Sequence, residues 1–183
     1  RRFCTDAEPA RRQGWDLLKT LADQVERVYD QGFLQPLGLE WSRLLDNGFL
    51  GTWSLDAFPA QQDFYARDIR PHLVESERKR AFVIISDAFR YEAARELTES
   101  LNGIYRMHAE LSTMLGVVPS YTALGMASLL PHETIAYTDK GDVLVDDKST
   151  AGTEARSKQL ATVEGMACQA ENLRGMKLEE ARE

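Results

Sequence analysis

The sequence predicts an α/β protein in which a mostly parallel sheet is flanked by helices and preceded by an α-helical segment. Two observations carry this prediction. Residues 1–79 repeat apolar side chains at helical spacing, whereas residues 80–183 alternate short apolar runs with helical stretches. Alternation of that kind is typical of parallel sheets, because each parallel connection crosses the sheet through a helix. We therefore expect a helical N-terminal segment (1–79) and an α/β segment (80–183), joined through the charged sequence ESERKR.

Three helices are predicted in the N-terminal segment. From residue 16 to residue 32 aliphatic residues recur every three or four positions, and Gly32 is expected to end that helix. A second, shorter helix is predicted over residues 36–48, ending at an Asn-Gly pair. The third is predicted over residues 60–80 and is interrupted at Pro71, because proline cannot donate a helical hydrogen bond.

In the second segment, strands and helices are expected in alternation. The strand candidates are AFVIIS, IYRMHAEL and MACQAENL, with short extended pieces at TIAYT and VLVD. Helices are expected at FRYEAARELTESL, YTALGMASLL and GTEARSKQLATVEG. The aspartate-rich stretch 138–154 lacks the spacing and closing glutamate of a calcium loop, so it predicts surface loops around one short strand.

The composition of the chain argues against several classes of function. The net charge of −7 and the absence of a dense Lys/Arg tract argue against binding nucleic acid by phosphate neutralisation. Cys4 and Cys168 lack CxxC spacing, which indicates neither a disulfide framework nor a cysteine-based zinc site. No apolar run approaches the ~20 residues that span a bilayer. The start lacks an initiator Met and the apolar middle that is typical of a signal peptide. We expect a cytoplasmic protein that does not contact a membrane, represented by a fragment.

Asp87 follows an apolar run and is the first candidate functional residue. Residues 83–85 are consecutive and β-branched, which suits a central strand buried on both faces. Taken alone, Ser86 or Asp87 is more often the cap of the next helix. The functional alternative is that Asp87 binds a divalent cation at the carboxyl edge of the sheet, where α/β proteins bind their ligands.

Thr122 is the second candidate, in the stretch GVVPSYTALGMASLLP. There Pro119 ends an apolar run and a helix containing Gly125 begins. A threonine hydroxyl in the first helical turn faces free N–H groups, which favour an attacking oxyanion and a bound phosphate. A metal ion on the same oxygen would make it a nucleophile at neutral pH. Ser120 is expected at the N-cap position of this helix, whereas Thr122 fits a capping role less well.

Arg90, His108 and His132 are weaker candidates for functional residues. The guanidinium of Arg90 suits phosphate oxygens, although an ion pair on the helix surface is the commoner use of such a residue. His108 and His132 are isolated in the sequence and lack the spacing of a metal site, so we expect structural or surface roles for them.

Several separated stretches together resemble one family. FVIISDAFRYEAARELTESLN, AELSTMLGVVPSYTALGMASLLPH and STAGTEARSKQL are similar to the PglZ family of BREX-type phage-defence systems, whose core belongs to the alkaline phosphatase superfamily. The helical sequence VYDQGFLQPLGLEWSRLL resembles the segment before that core. The resemblance implies that residues 80–183 are the N-terminal part of an alkaline-phosphatase-like core. It also implies a metal-dependent phosphoester hydrolase, a phosphatase or phosphodiesterase-like enzyme.

The resemblance further implies roles for individual residues. Asp87 corresponds to the superfamily's first metal-binding aspartate, and Thr122 to its nucleophile, which also contacts metal. Gly125 stands where many relatives have an asparagine that holds the phosphate, so Gly125 and Arg90 are the phosphate-binding candidates. The implied cofactors are divalent metal ions, zinc first, with magnesium or manganese as alternatives. Relatives supply further Asp and His ligands from later in the core, so we expect an incomplete metal site and little activity from this chain alone.

Partners follow from the same resemblance. They are other components of a BREX-type system, such as a DNA methyltransferase. A different class of function stays open, namely a non-catalytic interaction module that docks components of a defence complex. A receiver-domain interpretation of VIISDAF is disfavoured, because the helical first 80 residues provide no earlier strand ending in an acidic pair. The sequence leaves open whether this chain is itself an enzyme.

Overall fold

The computed structural model describes residue 12, residues 16–75 and residues 80–173. The chain divides into two compact units, Arg1–Ser54 and Leu55–Glu183. This division lies N-terminal to the predicted boundary after residue 79. Residues 76–79 of the predicted junction lie outside the described ranges, so that boundary stays a prediction.

The first unit is helical from residue 16 to residue 52, apart from the backbone at Gly48. Its helices are α1 (Asp16–Tyr29), α2 (Gln35–Leu44) and α3 (Leu50–Thr52), connected by single π-helical turns at Asp30–Leu34 and Leu45–Phe49. The prediction that Gly32 ends the first helix is wrong, because the backbone continues through it as a π turn. Gly48 does break the second helix, since its φ of 94° is a conformation that glycine adopts without steric cost.

Three aromatic rings pack where the chain turns at Gly48. The ring centroid of Trp41 lies 6.0 Å from that of Phe49 and 6.1 Å from that of Trp53. Phe49 and Trp53 are 5.1 Å apart. Aromatic pairs of this kind contribute about 0.5–1.5 kcal/mol each beyond simple burial, so this cluster stabilises the turn.

The second unit contains short helices joined by long irregular segments. They are a 3₁₀ turn (Gln61–Asp63), a π turn (Tyr65–Ile69), α4 (Arg70–Glu75), α5 (Tyr91–Gly103), α6 (Thr122–Ser128), α7 (Gly152–Leu160), a second 3₁₀ turn (Ala161–Val163) and α8 (Ala170–Leu173). The predicted third helix is therefore three different helical pieces. Pro71 does not interrupt the helical backbone, which continues from the π turn through Pro71 to residue 75. Ala170–Leu173 was predicted as part of a strand and is helical.

The sheet of the second unit is antiparallel. Its strands are β1 (Ile135–Tyr137), β2 (Val143–Val145) and β3 (Lys148–Ser149), in the order β1-β2-β3. The short extended pieces TIAYT and VLVD are thus confirmed as strands. A mostly parallel sheet is not confirmed, because the strand ladders of the described residues are antiparallel and parallel pairing is limited to one isolated bridge, Ala60 with Leu115.

The run predicted as a buried central strand is neither a strand nor buried. Residues 80–86 have no regular secondary structure. Phe82 and Ile84 are 82% and 92% exposed, and Val83 and Ile85 are about half exposed. A strand requires a neighbour for its backbone hydrogen bonds, and no described segment pairs with this one. The candidate IYRMHAEL likewise forms no strand.

The core of the second unit lies between helix α6 and the hairpin of β1 and β2. Its buried members are Leu124, Ala127, Val143 and Val145, with Val117 and Ile135 packed against them. This core fixes the position of α6, the helix that begins at Thr122. In the parts of the chain that the structure describes, no helix has the length and apolar character to cross a membrane.

Candidate functional site

Asp87 lies in a tight turn between the exposed apolar run and helix α5. The N–H of Phe89 donates to the carbonyl of Ser86 at 3.3 Å, and Ala88 has a φ of 56°. One carboxylate oxygen of Asp87, Oδ1, accepts the N–H of Ala88 at 3.0 Å. This bond sets the direction of the carboxylate and leaves Oδ2 for a second partner.

Thr122 is that second partner. It is the first residue of α6, which follows an extended Tyr121 and whose first helical bond runs from the N–H of Gly125 to the carbonyl of Tyr121 at 3.0 Å. The Thr122 hydroxyl donates to Oδ2 of Asp87 at 3.3 Å, across 35 positions of sequence. Both side chains are exposed, so the pair is open to a ligand from solvent.

The capping alternatives are wrong for both helices. The N-cap residue of α5 is Arg90, not Ser86 or Asp87. The N-cap residue of α6 is Tyr121, not Ser120. Neither N-cap side chain makes a capping hydrogen bond. Helix capping therefore does not account for an aspartate and a threonine at these positions.

The two phosphate-binding candidates lie near this pair in sequence. Arg90 is exposed, three residues after Asp87, and among the described residues it forms no ion pair. The ion pair on helix α5 joins Arg95 and Glu99 instead, at 3.1 Å. Gly125 lies one turn after Thr122, and its backbone N–H and carbonyl are both hydrogen-bonded within the protein. Gly125 can therefore contribute space to a ligand rather than a free hydrogen-bonding group.

Metal binding can be tested against the donor atoms present. Asp87 and Thr122 offer oxygen atoms of the kind that divalent cations accept. In the described ranges, however, no group of three or more His, Cys, Asp or Glu side chains is arranged to hold a metal ion. The donor chemistry thus fits a cation, while the number of ligands in the described residues falls short of the four that a zinc site uses.

The two histidines agree with the structural roles expected for them. His108 is exposed and its Nε2 lies 3.1 Å from a carboxylate oxygen of Glu110. His132 contacts the carbonyl of Leu130 through Nδ1, at 2.6 Å. Neither imidazole is bonded to Asp87 or Thr122.

Asp146 is a structural residue that the sequence interpretation placed at the end of the short extended piece VLVD, within the aspartate-rich stretch 138–154. Its Oδ1 accepts the N–H groups of Glu133 and Thr134, each at 2.9 Å, and Oδ2 accepts the side-chain amide of Gln159 at 3.1 Å. The N–H of Thr134 makes the largest contribution to a pKa of Asp146 below its usual value, and burial opposes that shift. We call this set of hydrogen bonds the Asp146 clamp. The aspartate-rich sequence did not predict it, because the residues that bond to Asp146 lie elsewhere in the chain.

A groove of about 710 Å³ lies beside this clamp. It is lined by side chains of both charges, including Arg70, Lys148, Glu133 and Asp147. Neither Asp87 nor Thr122 is among its lining residues. The groove and the Asp87–Thr122 pair are therefore separate features of the second unit.

Comparison with known proteins gives the family. The model described as "BREX system PglZ alkaline phosphatase-like domain" matches residues 64–183. The chain belongs to the PglZ family. Asp87, Arg90, Thr122 and Gly125 all lie inside the matched PglZ domain, whereas the helical residues of the first unit precede it.

Two curated relatives are also described as alkaline phosphatase-like. The chain is 39% identical to the alkaline phosphatase-like protein BrxZ of Escherichia coli O9:H4 (strain HS), over 93% of this chain and 20% of that protein. It is 37% identical to the alkaline phosphatase-like protein PglZ of Bacillus cereus (strain H3081.97), over 80% of this chain and 17% of that protein. The chain thus spans a fifth or less of the length of these relatives. No solved structure matches it significantly.

Proposed function

We propose that this PglZ chain carries the nucleophile of a phosphoester hydrolase, a phosphatase or phosphodiesterase-like enzyme. Thr122 is the nucleophile, and Asp87 is the carboxylate that orients it. The hydrogen bond of 3.3 Å between the Thr122 hydroxyl and Asp87 Oδ2 carries the proposal. It joins the two positions that the family resemblance assigns to catalysis, although they are 35 residues apart.

The contact between the two side chains supports the role of Thr122 as an activated nucleophile. A hydroxyl is a weak nucleophile unless an adjacent group accepts its proton or lowers its pKa, and this contact is only slightly longer than the usual reach of a general base. Thr122 Oγ1 attacks phosphorus, the bond from phosphorus to the ester oxygen breaks, and the Asp87 carboxylate receives the hydroxyl proton. That proton passes through solvent to the departing alkoxide. Water then cleaves the phosphothreonine and restores the Thr122 hydroxyl, which releases phosphate from a monoester or a phosphomonoester from a diester. The second oxygen of Asp87 stays bonded to the N–H of Ala88, which keeps the carboxylate in place.

Arg90 and Gly125 are proposed as the phosphate site. The exposed guanidinium of Arg90 suits phosphate oxygens bidentately. Gly125 lies one turn from Thr122, and a Cβ there would be in ordinary contact with the side-chain amide of Gln61, at 3.7 Å. We propose that Gly125 contributes to the phosphate site by its place beside Thr122 rather than by a hydrogen bond.

Divalent metal ions are general cofactors of alkaline phosphatase-like proteins, and we propose that Asp87 and Thr122 supply two of the ligand oxygens. Zinc is the first candidate and magnesium or manganese are the alternatives. When bound, such an ion would neutralise charge on the attacking oxygen and on phosphate. The other ligands would come from outside the described residues.

We assign this activity to the whole protein and not to the present chain alone. Since the curated relatives are about five times longer than their match to this chain, we propose that the chain alone has little activity. In the longer protein, residues 82–85 would become a strand of a mostly parallel, alkaline-phosphatase-like sheet. We further propose a cytoplasmic component of a BREX-type phage-defence system, with partners such as a DNA methyltransferase.

Thr122→Ala in the full-length protein tests the nucleophile. Hydrolysis of a generic phosphoester such as p-nitrophenyl phosphate, or of its bis ester, is expected to fall by about 10³-fold or more, since the attacking oxygen is removed. Thr122→Ser keeps a hydroxyl and should retain measurable turnover. Ser120→Ala removes an exposed hydroxyl two residues away and serves as the matched control. Turnover of T122A equal to that of S120A would exclude Thr122 as nucleophile.

A non-catalytic docking module is the second candidate function. The exposed apolar side chains of Phe82 and Ile84 favour it, because a surface of that kind is typical of an interaction site. Metal analysis of the full-length protein separates the candidates. Stoichiometric zinc, magnesium or manganese supports the hydrolase, whereas a metal-free protein without turnover supports docking.

A further inference from the structure

Gln61 connects three parts of the second unit that are distant in sequence. Its side-chain Nε2 donates to the carbonyl of Gly125 at 3.0 Å, across 64 positions. Its Oε1 accepts the N–H of Val117 at 3.3 Å, across 56 positions. One amide group therefore bonds both to helix α6 and to the segment that leads into it.

The orientation of this amide is fixed by its partners. The Val117 N–H requires an acceptor and the Gly125 carbonyl requires a donor, so only one assignment of the oxygen and nitrogen satisfies both. The amide packs against two glycines, since a Cβ on Gly116 or Gly125 would be in ordinary contact with it, at 3.6 or 3.7 Å. A hydrocarbon side chain of similar length would fill the same space without making either bond.

The backbone of Gln61 is held as firmly as its side chain. Its N–H donates to the carbonyl of Leu115 at 2.8 Å, and the N–H of Leu115 donates to the carbonyl of Pro59 at 2.8 Å. These two bonds form the isolated parallel bridge between Ala60 and Leu115. The amide of Gln61 thus extends from an anchored strand-like pairing rather than from a free loop.

The two bonded positions bracket the nucleophile candidate. Val117 and Gly125 are the fixed ends of a segment that contains Thr122, and Ser128 adds a second donor to the Gly125 carbonyl at 2.9 Å. Within that segment, the Thr122 hydroxyl makes a bond of 3.3 Å, near the upper limit for a useful contact with Asp87. A small displacement of the segment would take the hydroxyl out of reach.

We propose that Gln61 is a positioning residue: its amide bonds fix the turn that carries Thr122 against Asp87. Gln61 touches neither reacting atom and acts through Val117 and Gly125. It lies three residues before the matched PglZ domain begins at residue 64, so residues preceding that domain take part in building the site. The catalytic part of this inference rests on the proposed function, and the structural part does not.

Gln61→Met tests the proposal in the full-length protein. Methionine keeps the length and approximate volume of glutamine and removes both hydrogen bonds. We expect kcat for p-nitrophenyl phosphate to fall by about 10- to 100-fold with KM nearly unchanged, because a misplacement of about 1 Å can cost 10²-fold in rate. Gln62→Met, at the exposed neighbour in the same 3₁₀ turn, is the matched control and should leave kcat within about twofold of wild type. Equal kcat values for Q61M and Q62M would overturn the proposal.

Gln61→Glu gives a readout that a merely structural role would not move. A protonated carboxyl group can donate to the Gly125 carbonyl and accept from Val117, as the amide does, whereas a carboxylate can only accept. The kcat of Q61E relative to wild type should therefore rise as pH falls from about 7 to about 5, where a glutamate with a reference pKa near 4.3 begins to protonate. The same ratio for Q61M should stay flat. Parallel pH profiles for Q61E and Q61M would contradict the proposal.

Amide hydrogen exchange keeps the two proposals distinguishable. If wild-type protein hydrolyses no phosphoester, the proposed function fails, and exchange at the Val117 amide then decides the role of Gln61. Exchange at least about tenfold faster in Q61M than in Q62M supports Gln61 as the residue that fixes this turn, because the amide has lost its acceptor. Equal exchange in the two variants overturns it.

Discussion

Asp146→Asn is the stability prediction that the structure supports in most detail. Asp146 lies with Asp147 in the two-residue turn between β2 and β3, at φ values of 47° and 62°. Its carboxylate joins this hairpin to Glu133 and Thr134 before β1 and to Gln159 on α7. Asparagine adopts this backbone conformation at least as readily as aspartate, so the substitution tests the carboxylate alone.

The expected loss follows from the bonds. An asparagine can turn its oxygen toward the N–H groups of Glu133 and Thr134, which then bond a neutral acceptor instead of a charged one. Its NH₂ group would face the amide nitrogen of Gln159, now 3.1 Å from Oδ2, and that bond would be lost. Hydrogen bonds to charged groups contribute about 1.5–3 kcal/mol and neutral ones about 0.5–1.5. We therefore expect the free energy of unfolding to fall by about 2 kcal/mol at pH 7.

The effect should depend on pH in a defined direction. The hydrogen bond from Thr134 leads the interactions that lower the pKa of Asp146 in the folded protein, so the carboxylate stabilises the fold at pH values above the unfolded reference of about 3.9. That stabilisation is lost as pH falls through the lower, folded pKa. The difference between wild type and D146N should consequently shrink below about pH 4.

Urea titrations read by far-UV circular dichroism at pH 7, 5 and 3 measure this effect. All three tryptophans precede residue 55, so tryptophan fluorescence would report on the first unit instead. Asp147→Asn is the matched control, because it makes the same chemical change at the exposed neighbour. If D146N and D147N have equal unfolding free energies at pH 7, or if the loss in D146N persists undiminished at pH 3, the clamp reasoning is refuted.

Two further predictions concern Ile84 and Gly48. Ile84 is exposed although its sequence pattern indicates a buried strand, and Gly48 has a backbone conformation that favours glycine. Ile84→Asp should change the unfolding free energy of this chain by no more than about 0.5 kcal/mol, because the side chain is 92% exposed; a loss of several kcal/mol in a urea titration would show that Ile84 is buried. Gly48→Ala should destabilise the first unit by about 1–2 kcal/mol, since its φ is 94° and a Cβ would meet no atom within 4 Å. Gly51→Ala, also in open space, controls for the added methyl group, and equal tryptophan-detected midpoints for the two variants would contradict the backbone argument.

The pairing of Asp87 with Thr122 was predictable in kind from the sequence. The residue types, their positions at the start of helices and the family resemblance all indicated a phosphoryl-transfer pair. The sequence did not predict the distance between them or the turn at Ala88 that directs the carboxylate. The catalytic and metal-binding roles of both residues stay predictions.

Helix capping and strand pairing show why local sequence patterns did not predict every helix start and strand. Ser120 fits the preferences for an N-cap residue, yet α6 begins one residue later, after Tyr121. Residues 83–85 have the composition of a central strand, yet they are at least 46% exposed. A local preference is weak compared with hydrogen bonding and packing, which depend on residues far away in the chain.

By itself, the sequence determined the helical character of the first unit, the short strands around residues 135 and 143, and the family. Those features depend on side-chain periodicity and on motifs of neighbouring residues, which the sequence displays directly. Only the tertiary structure decided that the sheet of the described residues is antiparallel. It also decided that Asp146 bonds to Glu133 and that Gln61 bonds to Gly125, near Thr122. The reason is physical. The bonds of Asp146 and Gln61 join residues 12 to 64 positions apart, and no periodicity marks such partners. The apolar pattern of a strand likewise does not specify the direction of the neighbouring strand.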